Sequence, residues 1–492
     1  MRIESYDYLD SSFAAIESCK TYHRSALPLA YARTFNSKFS TKKKLSTLNS
    51  QLKRNSQLIT LNNMLEEDIR KQIIALINRE VVPAVGCTEP MCVSLCVARA
   101  TELLGCRPEK ITALLSANIL KNAMGVGIPG TGMIGLPIAI ALGAIIGKSE
   151  YQLEVIKDLT PDSLEEGKQY IDADHISIQL KSGITEKLYV EITCEADGHK
   201  ATAVIATSHT HFVYLEKDGE VLLDERHHKA GEAENNDIRL NMRLVYDFAM
   251  TTPEDDLRFI LKTRDYNFRI AEESKKHNYG HCLGKTIDRP LSHGIFGNSI
   301  FSHIISKTAS ACDARMGGAM IPVMSNSGSG NQGICATNPV AVYAEENENT
   351  EEELIRALTL SHLTAIYIKQ NLGKLSALCG CVVASIGSSC GITYLMGGNY
   401  EHICWSVKNM IANITGMICD GAKPSCALKI SSGVSTALLS ALLSMEGKCV
   451  SSVEGIIDND VDRSIRNLTS IGAEAMNRTD EMVLDIMTHK SC

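Results

Sequence analysis

The sequence predicts an α+β protein, a predominantly helical core carrying a small antiparallel β-meander lobe. Three patterns carry that expectation. Apolar residues recur at helical spacing through Ile69, Ile73 and Leu76, and again through Val93, Cys96 and Val97. Between residues 175 and 225 the runs HISIQL, KLYVEITCEA, HKATAVIATS and THFVYLEKDGEVLL alternate apolar with polar residues or are β-branched, divided by Ser-Gly and Asp-Gly turns. From about Asp237 helical spacing returns, over 240–249 and 351–370, and continues with glycine-rich breaks to the end.

Taken in order, residues 1–63 read as an N-terminal extension outside the fold. Residues 18–65 hold nine Lys and Arg and no Asp or Glu, as an organellar transit peptide does, whereas Glu4, Asp7, Asp10 and Glu17 argue against one, and a second Met stands at 64. The next segment reads as helix, loop, helix, broken at 83–90 by two prolines. A helical catalytic domain is expected over 64–150 and 237–492, with the β-rich lobe over 151–236 between its parts. Four stretches lack charge: 122–147, 316–344, 375–400 and 430–445. Pro129, Pro137 and seven glycines interrupt the first, and Asn, Ser and Gly the second, so buried helices and glycine-rich loops converging on a site are expected in place of membrane spans.

Composition narrows the function class. A net charge of -8 offers no attraction for nucleic acid or anionic lipid, so a small-molecule substrate is expected. Aromatics are only 5% against 35 glycines, which requires a core of small and aliphatic side chains. Seventeen cysteines without an apolar leader indicate a reducing compartment, hence the cytoplasm, with a mitochondrion-related organelle as the alternative if 1–63 is a transit peptide. A homodimer is compatible with all of this.

G-x-G-x-x-G occurs at Gly125 to Gly130 and at Gly328 to Gly333. A dinucleotide site needs a strand before and an unbroken helix after; Pro129 in the first and Pro339 beyond the second argue against it. What remains is a nest of hydroxyls and amides, Ser325, Asn326, Ser327, Ser329, Asn331 and Gln332, which suits a substrate carboxylate and equally suits a polar surface turn. Asn118, Lys121 and Asn122 share one helical face, from which Lys121 could neutralise that carboxylate.

No C-x-x-C occurs, so a zinc ribbon or thioredoxin-type site lacks its signature. Cys87 lies in the kinked PAVGCTEP segment entering a helix, where a thiol can ionise and act as nucleophile or base. Cys379 and Cys381 form Cys-Gly-Cys, and Cys419 and Cys426 flank a turn containing Gly421 and Pro424 that would fold two sulfurs toward one metal centre; inert buried thiols are the competing reading. His209 and His211 on one strand face, and His277 and His281 four apart, have zinc-ligand spacing, although exposed histidines are the commoner case.

Five long motifs carry a resemblance: VVPAVGCTEP at 81–90, SANILKNAMGVGIPGTGMIGLPIA at 116–139, DARMGGAMIPVMSNSGSGNQGI at 313–334, LSALCGC at 375–381 and MICDGAKPSCALK at 417–429. From about Met64 to its end the chain resembles the single-chain L-cysteine desulfidases, related to the catalytic part of iron-sulfur L-serine dehydratases. The resemblance implies a lyase that releases hydrogen sulfide, pyruvate and ammonia from L-cysteine, with a 4Fe-4S cluster held by Cys379, Cys419 and Cys426 and with Cys87 as base. Cys381 rivals Cys379 as ligand. L-serine dehydration by the same apparatus is the alternative activity, and a non-catalytic iron-sulfur redox sensor the alternative of another class.

Overall fold

A computed structural model describes residues 65–184, 186–226, 238–373 and 375–490. Met64–Cys492 forms one compact unit, and the extension 1–63 lies outside the described residues. The architecture is α+β, with a mostly helical core, as the periodicities predict.

The first helical run becomes helix Glu67–Glu80, a loop, and helix Thr88–Leu104, whose buried face takes in Val93, Cys96 and Val97. The meander forms Ile176–Leu180, Tyr189–Ala196, His199–Ala206, Phe212–Lys217 and Glu220–Asp224. Lys110–Leu115 joins these as a sixth strand, antiparallel to Tyr189–Ala196 and parallel to Ile176–Leu180. Its register sets Ile111, Ala113 and Leu115 opposite Cys194, Ile192 and Val190, all fully buried, so alternation turns one apolar face of the sheet toward helices Thr88–Leu104 and Leu136–Ile145.

The larger core is helical. Gly380–Leu395 packs against Glu351–Leu372, Gly330–Glu346, Tyr400–Ile414 and Cys426–Met445. Its small residues explain the low aromatic content. A Cβ on Gly387 would lie 2.2 Å from the Ser361 carbonyl oxygen, so these two helices touch backbone to backbone and large side chains have no room. Cys426–Met445 is long and apolar enough by length and composition to cross a membrane, and 56% of its apolar window is buried inside the fold, as for a core helix.

One expectation is corrected here. Helix Gly330–Glu346 runs through Pro339 without ending. Proline removes one backbone donor and crowds the preceding turn at a cost of about 3 kcal/mol, and here most of the helix is buried between neighbours that hold its course.

Candidate active site

Four loops meet at a cavity of about 130 Å³, and short antiparallel bridges tie them together in pairs. Pro83 and Ala84 pair with Met324 and Val323, while Ser325 and Ser327 donate their N–H groups to the carbonyls of Val82 and Glu80 at 2.8 and 2.9 Å. The Cys87 loop and the serine-rich loop are thereby tied to each other through their backbones. On the other side Leu378 bridges Ile418, with Cys379 N–H on the Met417 carbonyl at 3.0 Å and Cys419 N–H on the Ala377 carbonyl at 2.7 Å. This second lacing brings Cys379 and Cys419 side by side, 40 positions apart in sequence.

Each loop also feeds a helix. Cys87, Ser329 and Cys379 are the residues immediately before helices Thr88–Leu104, Gly330–Glu346 and Gly380–Leu395, and Cys426 is the first residue of Cys426–Met445. All four line the cavity, so four helix N-termini point their partial positive charge into it. Arg315, Lys369 and His209 line it as well. These helix ends and basic side chains favour an anion, against the carboxylate of Glu89 in the same lining.

Of the residues picked from sequence, Cys87, Asn122, Ser327, Ser329, Asn331, Gln332, Cys379, Cys419 and Cys426 line this cavity, as does Cys381. Asn118, Lys121, Ser325 and Asn326 do not. Lys121 is 1% exposed and forms an ion pair with Asp480, which Asn118 also contacts at 3.1 Å, so its ammonium is engaged away from any substrate carboxylate. Ser325 donates its hydroxyl to the Val82 carbonyl at 2.6 Å, and Asn326 donates its amide to His362. These two shape the loop from beneath. His209 and His211 leave the strand face expected for them and sit in the turn between His199–Ala206 and Phe212–Lys217, His209 at the cavity and His211 beside Glu225. His277 follows the end of helix Leu261–Lys276 and contacts Glu273.

Cys87 is also corrected in one respect. It occupies the helix N-terminus as expected, yet its thiol is pushed well above the usual range, first by burial and then by the charge of Glu89. The resting form is the protonated thiol, donating to Glu89 Oε2 at 2.8 Å. Glu89 accepts further hydrogen bonds from Thr88 Oγ1 at 3.1 Å and Asn122 Nδ2 at 3.2 Å. Burial opposes its ionisation, but the charge of His209, the Cys87 hydrogen bond, its own backbone N–H and Arg315 together hold it below the usual carboxylate range.

Among the described residues, no three His, Cys, Asp or Glu side chains converge closely enough to hold a single metal ion. A cubane cluster asks for something else, because each thiolate ligates a different iron and the sulfurs stand further apart than around one ion. Cys379, Cys419 and Cys426 are spread over two laced loops around one cavity, and these are the residues that would hold such a cluster. Their thiols are raised together: Cys379 by its hydrogen bond with Cys381 and by burial, Cys419 by burial and the charge of Cys379, and Cys426 chiefly by burial, to about 11. A metal that binds thiolates would have to displace these protons.

Sequence reasoning passed over Glu89, Arg315 and Lys369. Glu89 and Arg315 stand inside quoted motifs, where only packing shows that their side chains face the same space as Cys87. Lys369 gave no signal, since a lysine in the last turn of a helix looks like an ordinary end residue; burial lowers its ammonium to about 8.

Residues 150–485 match the serine dehydratase alpha chain family, a span that contains all three proposed cluster thiols and begins after Cys87. The chain is 71% identical over 424 residues to a UPF0597 protein of Phocaeicola vulgatus, covering 86% of this chain and 98% of that protein. It is 67% identical over 424 residues to one of Bacteroides thetaiotaomicron, covering 86% and 99%, and 53% identical over 432 residues to one of Porphyromonas gingivalis, covering 87% and 100%. By the match over 150–485 the chain belongs to the serine dehydratase alpha chain family, and by these near full-length relatives it groups with the UPF0597 proteins.

Proposed function

We propose that the protein is an iron-sulfur lyase that eliminates hydrogen sulfide from L-cysteine, leaving aminoacrylate that hydrolyses to pyruvate and ammonia. The observation that carries this reading is the lining of one cavity by Cys379, Cys419 and Cys426 together with Cys87 and Arg315. When bound by the three thiolates, a 4Fe-4S cluster supplies an open iron as Lewis acid to a leaving group.

The chain's own residues do the rest. Arg315 is 3% exposed and donates through Nη1 to Asn331 Oδ1 at 3.0 Å, which fixes the guanidinium plane. Its Nε, and Oε1 of Gln332, are buried without hydrogen-bond partners among the described residues. Both residues line the cavity, where the guanidinium offers its charge to the carboxylate of an amino acid. Arg315 therefore replaces Lys121 as the carboxylate-binding cation. Cys87 receives the α-proton.

L-Serine is the second reading, favoured by the family match, since a hydroxyl can leave by the same route. Anaerobic purification with iron and sulfide quantification, followed by assays for sulfide and pyruvate from each amino acid, separates the two. Cys87→Ser is expected to keep its iron and lose turnover, and Cys419→Ala to lose the brown absorbance. Iron without turnover of either amino acid would point to a redox sensor, and a protein that binds no iron sinks the proposal.

A further inference from the structure

A thiol can take a proton only after losing its own, and the surroundings of Cys87 work against a free thiolate. We propose that Glu89 is a catalytic carboxylate that removes the Cys87 thiol proton as Cys87 takes the α-proton of the substrate. This relay presupposes the lyase chemistry proposed above.

The geometry supports it. Glu89 and Cys87 line the same cavity, and the thiol already points at Oε2 across 2.8 Å. An acidic residue in the first turn of a helix commonly does no more than complement the helix dipole, and such a residue sits in water. Glu89 is instead 9% exposed, and burying a carboxylate is costly unless donors surround it. Thr88 and Asn122 supply two donors, and the third is the thiol itself, with His209 and Arg315 as the other charged or titratable groups acting on it. The site thus keeps an ionised acceptor beside a protonated sulfur, the starting arrangement for a concerted transfer.

The step balances. The Cys87 Sγ–H bond breaks and its proton goes to Glu89 Oε2, while the Cα–H bond breaks and its proton goes to Sγ. The Cα–H electron pair forms the Cα=Cβ bond, and the Cβ–S bond breaks with its pair leaving on hydrosulfide. Glu89 then returns its proton to hydrosulfide, which departs as hydrogen sulfide, and Cys87 and Glu89 end in their starting states.

Glu89→Gln preserves the side-chain shape and removes the proton acceptor. It is expected to lower kcat by about 10²–10⁴-fold with KM and iron content unchanged. In iron-free protein, the pH midpoint for iodoacetamide alkylation of Cys87, followed by peptide mass spectrometry, is expected to fall in Glu89→Gln because the carboxylate charge no longer opposes the thiolate. Glu89→Asp keeps the charge, so it should hold the wild-type midpoint and lose only part of kcat; it also serves if Glu89→Gln folds poorly. A wild-type kcat in Glu89→Gln, or a midpoint that stays in place, overturns the proposal. If the iron-loaded wild type turns over neither amino acid, the lyase assignment fails by itself, and the alkylation midpoint still decides whether Glu89 governs the Cys87 proton.

Discussion

Lys121 and Asp480 form an ion pair across 359 positions, 1% and 9% exposed, and Lys121 Nζ also donates to the backbone carbonyl of Cys419 at 3.3 Å. The helix Asn477–His489 thereby reaches a cysteine loop that it does not itself contain. Removing one partner strands a buried charge, so Asp480→Leu alone is expected to cost about 3–5 kcal/mol, measured as a lowered urea midpoint. The double variant Lys121→Met/Asp480→Leu should recover most of that loss. The double variant should hold less iron, because it lacks the Lys121 ammonium that anchors the Cys419 carbonyl.

Gly421 reports on the same loop from its other side. Its φ is +94°, and a Cβ there would lie 2.2 Å from the Lys121 carbonyl oxygen, an overlap with backbone that no rotamer relieves. Gly421→Ala is expected to destabilise by more than about 1 kcal/mol and to displace the segment between Cys419 and Cys426. Iron analysis of the purified variant would show the loss; full iron content would mean that the loop tolerates the shift.

Arg315→Lys tests the carboxylate site. Lysine keeps the charge and loses the planar fork that Asn331 orients. One charge-assisted hydrogen bond is worth about 1.5–3 kcal/mol, so KM should rise about 10- to 100-fold with kcat less affected, read from steady-state sulfide release.

His362 gives a pH signature. Burial lowers its imidazole from 6.5 to about 3, and it stays neutral between Asn326 and Thr337. Below 6.5 the unfolded chain binds a proton that the folded one refuses, so this contribution to stability is complete above 6.5. It is lost as the pH falls from there toward 3, at about 1.4 kcal/mol per pH unit. Urea midpoints between about pH 7 and about pH 5 should fall more steeply in the wild type than in His362→Gln. Parallel slopes would show that another group carries the acid sensitivity.

The sequence by itself determined the elements and picked out four cysteines that line one cavity. The 3.6-residue and two-residue spacings follow from local backbone geometry, so helix Thr88–Leu104 and the strands from Ile176 to Asp224 were legible without any partner. Cys87, Cys379, Cys419 and Cys426 were legible too, since motifs keep them in order. What only the tertiary structure decided is which charges face the cysteines. Lys121 and Arg315 are both cations in recognisable motifs; one is turned toward Asp480 and the other toward the cavity, and that difference arises from contacts hundreds of positions apart. Cys87 depends on the same kind of contact, for a helix N-terminus alone favours the thiolate, whereas burial and Glu89 hold the thiol. Periodicity is local, whereas desolvation and charge pairing depend on everything that folding brings within a few ångströms.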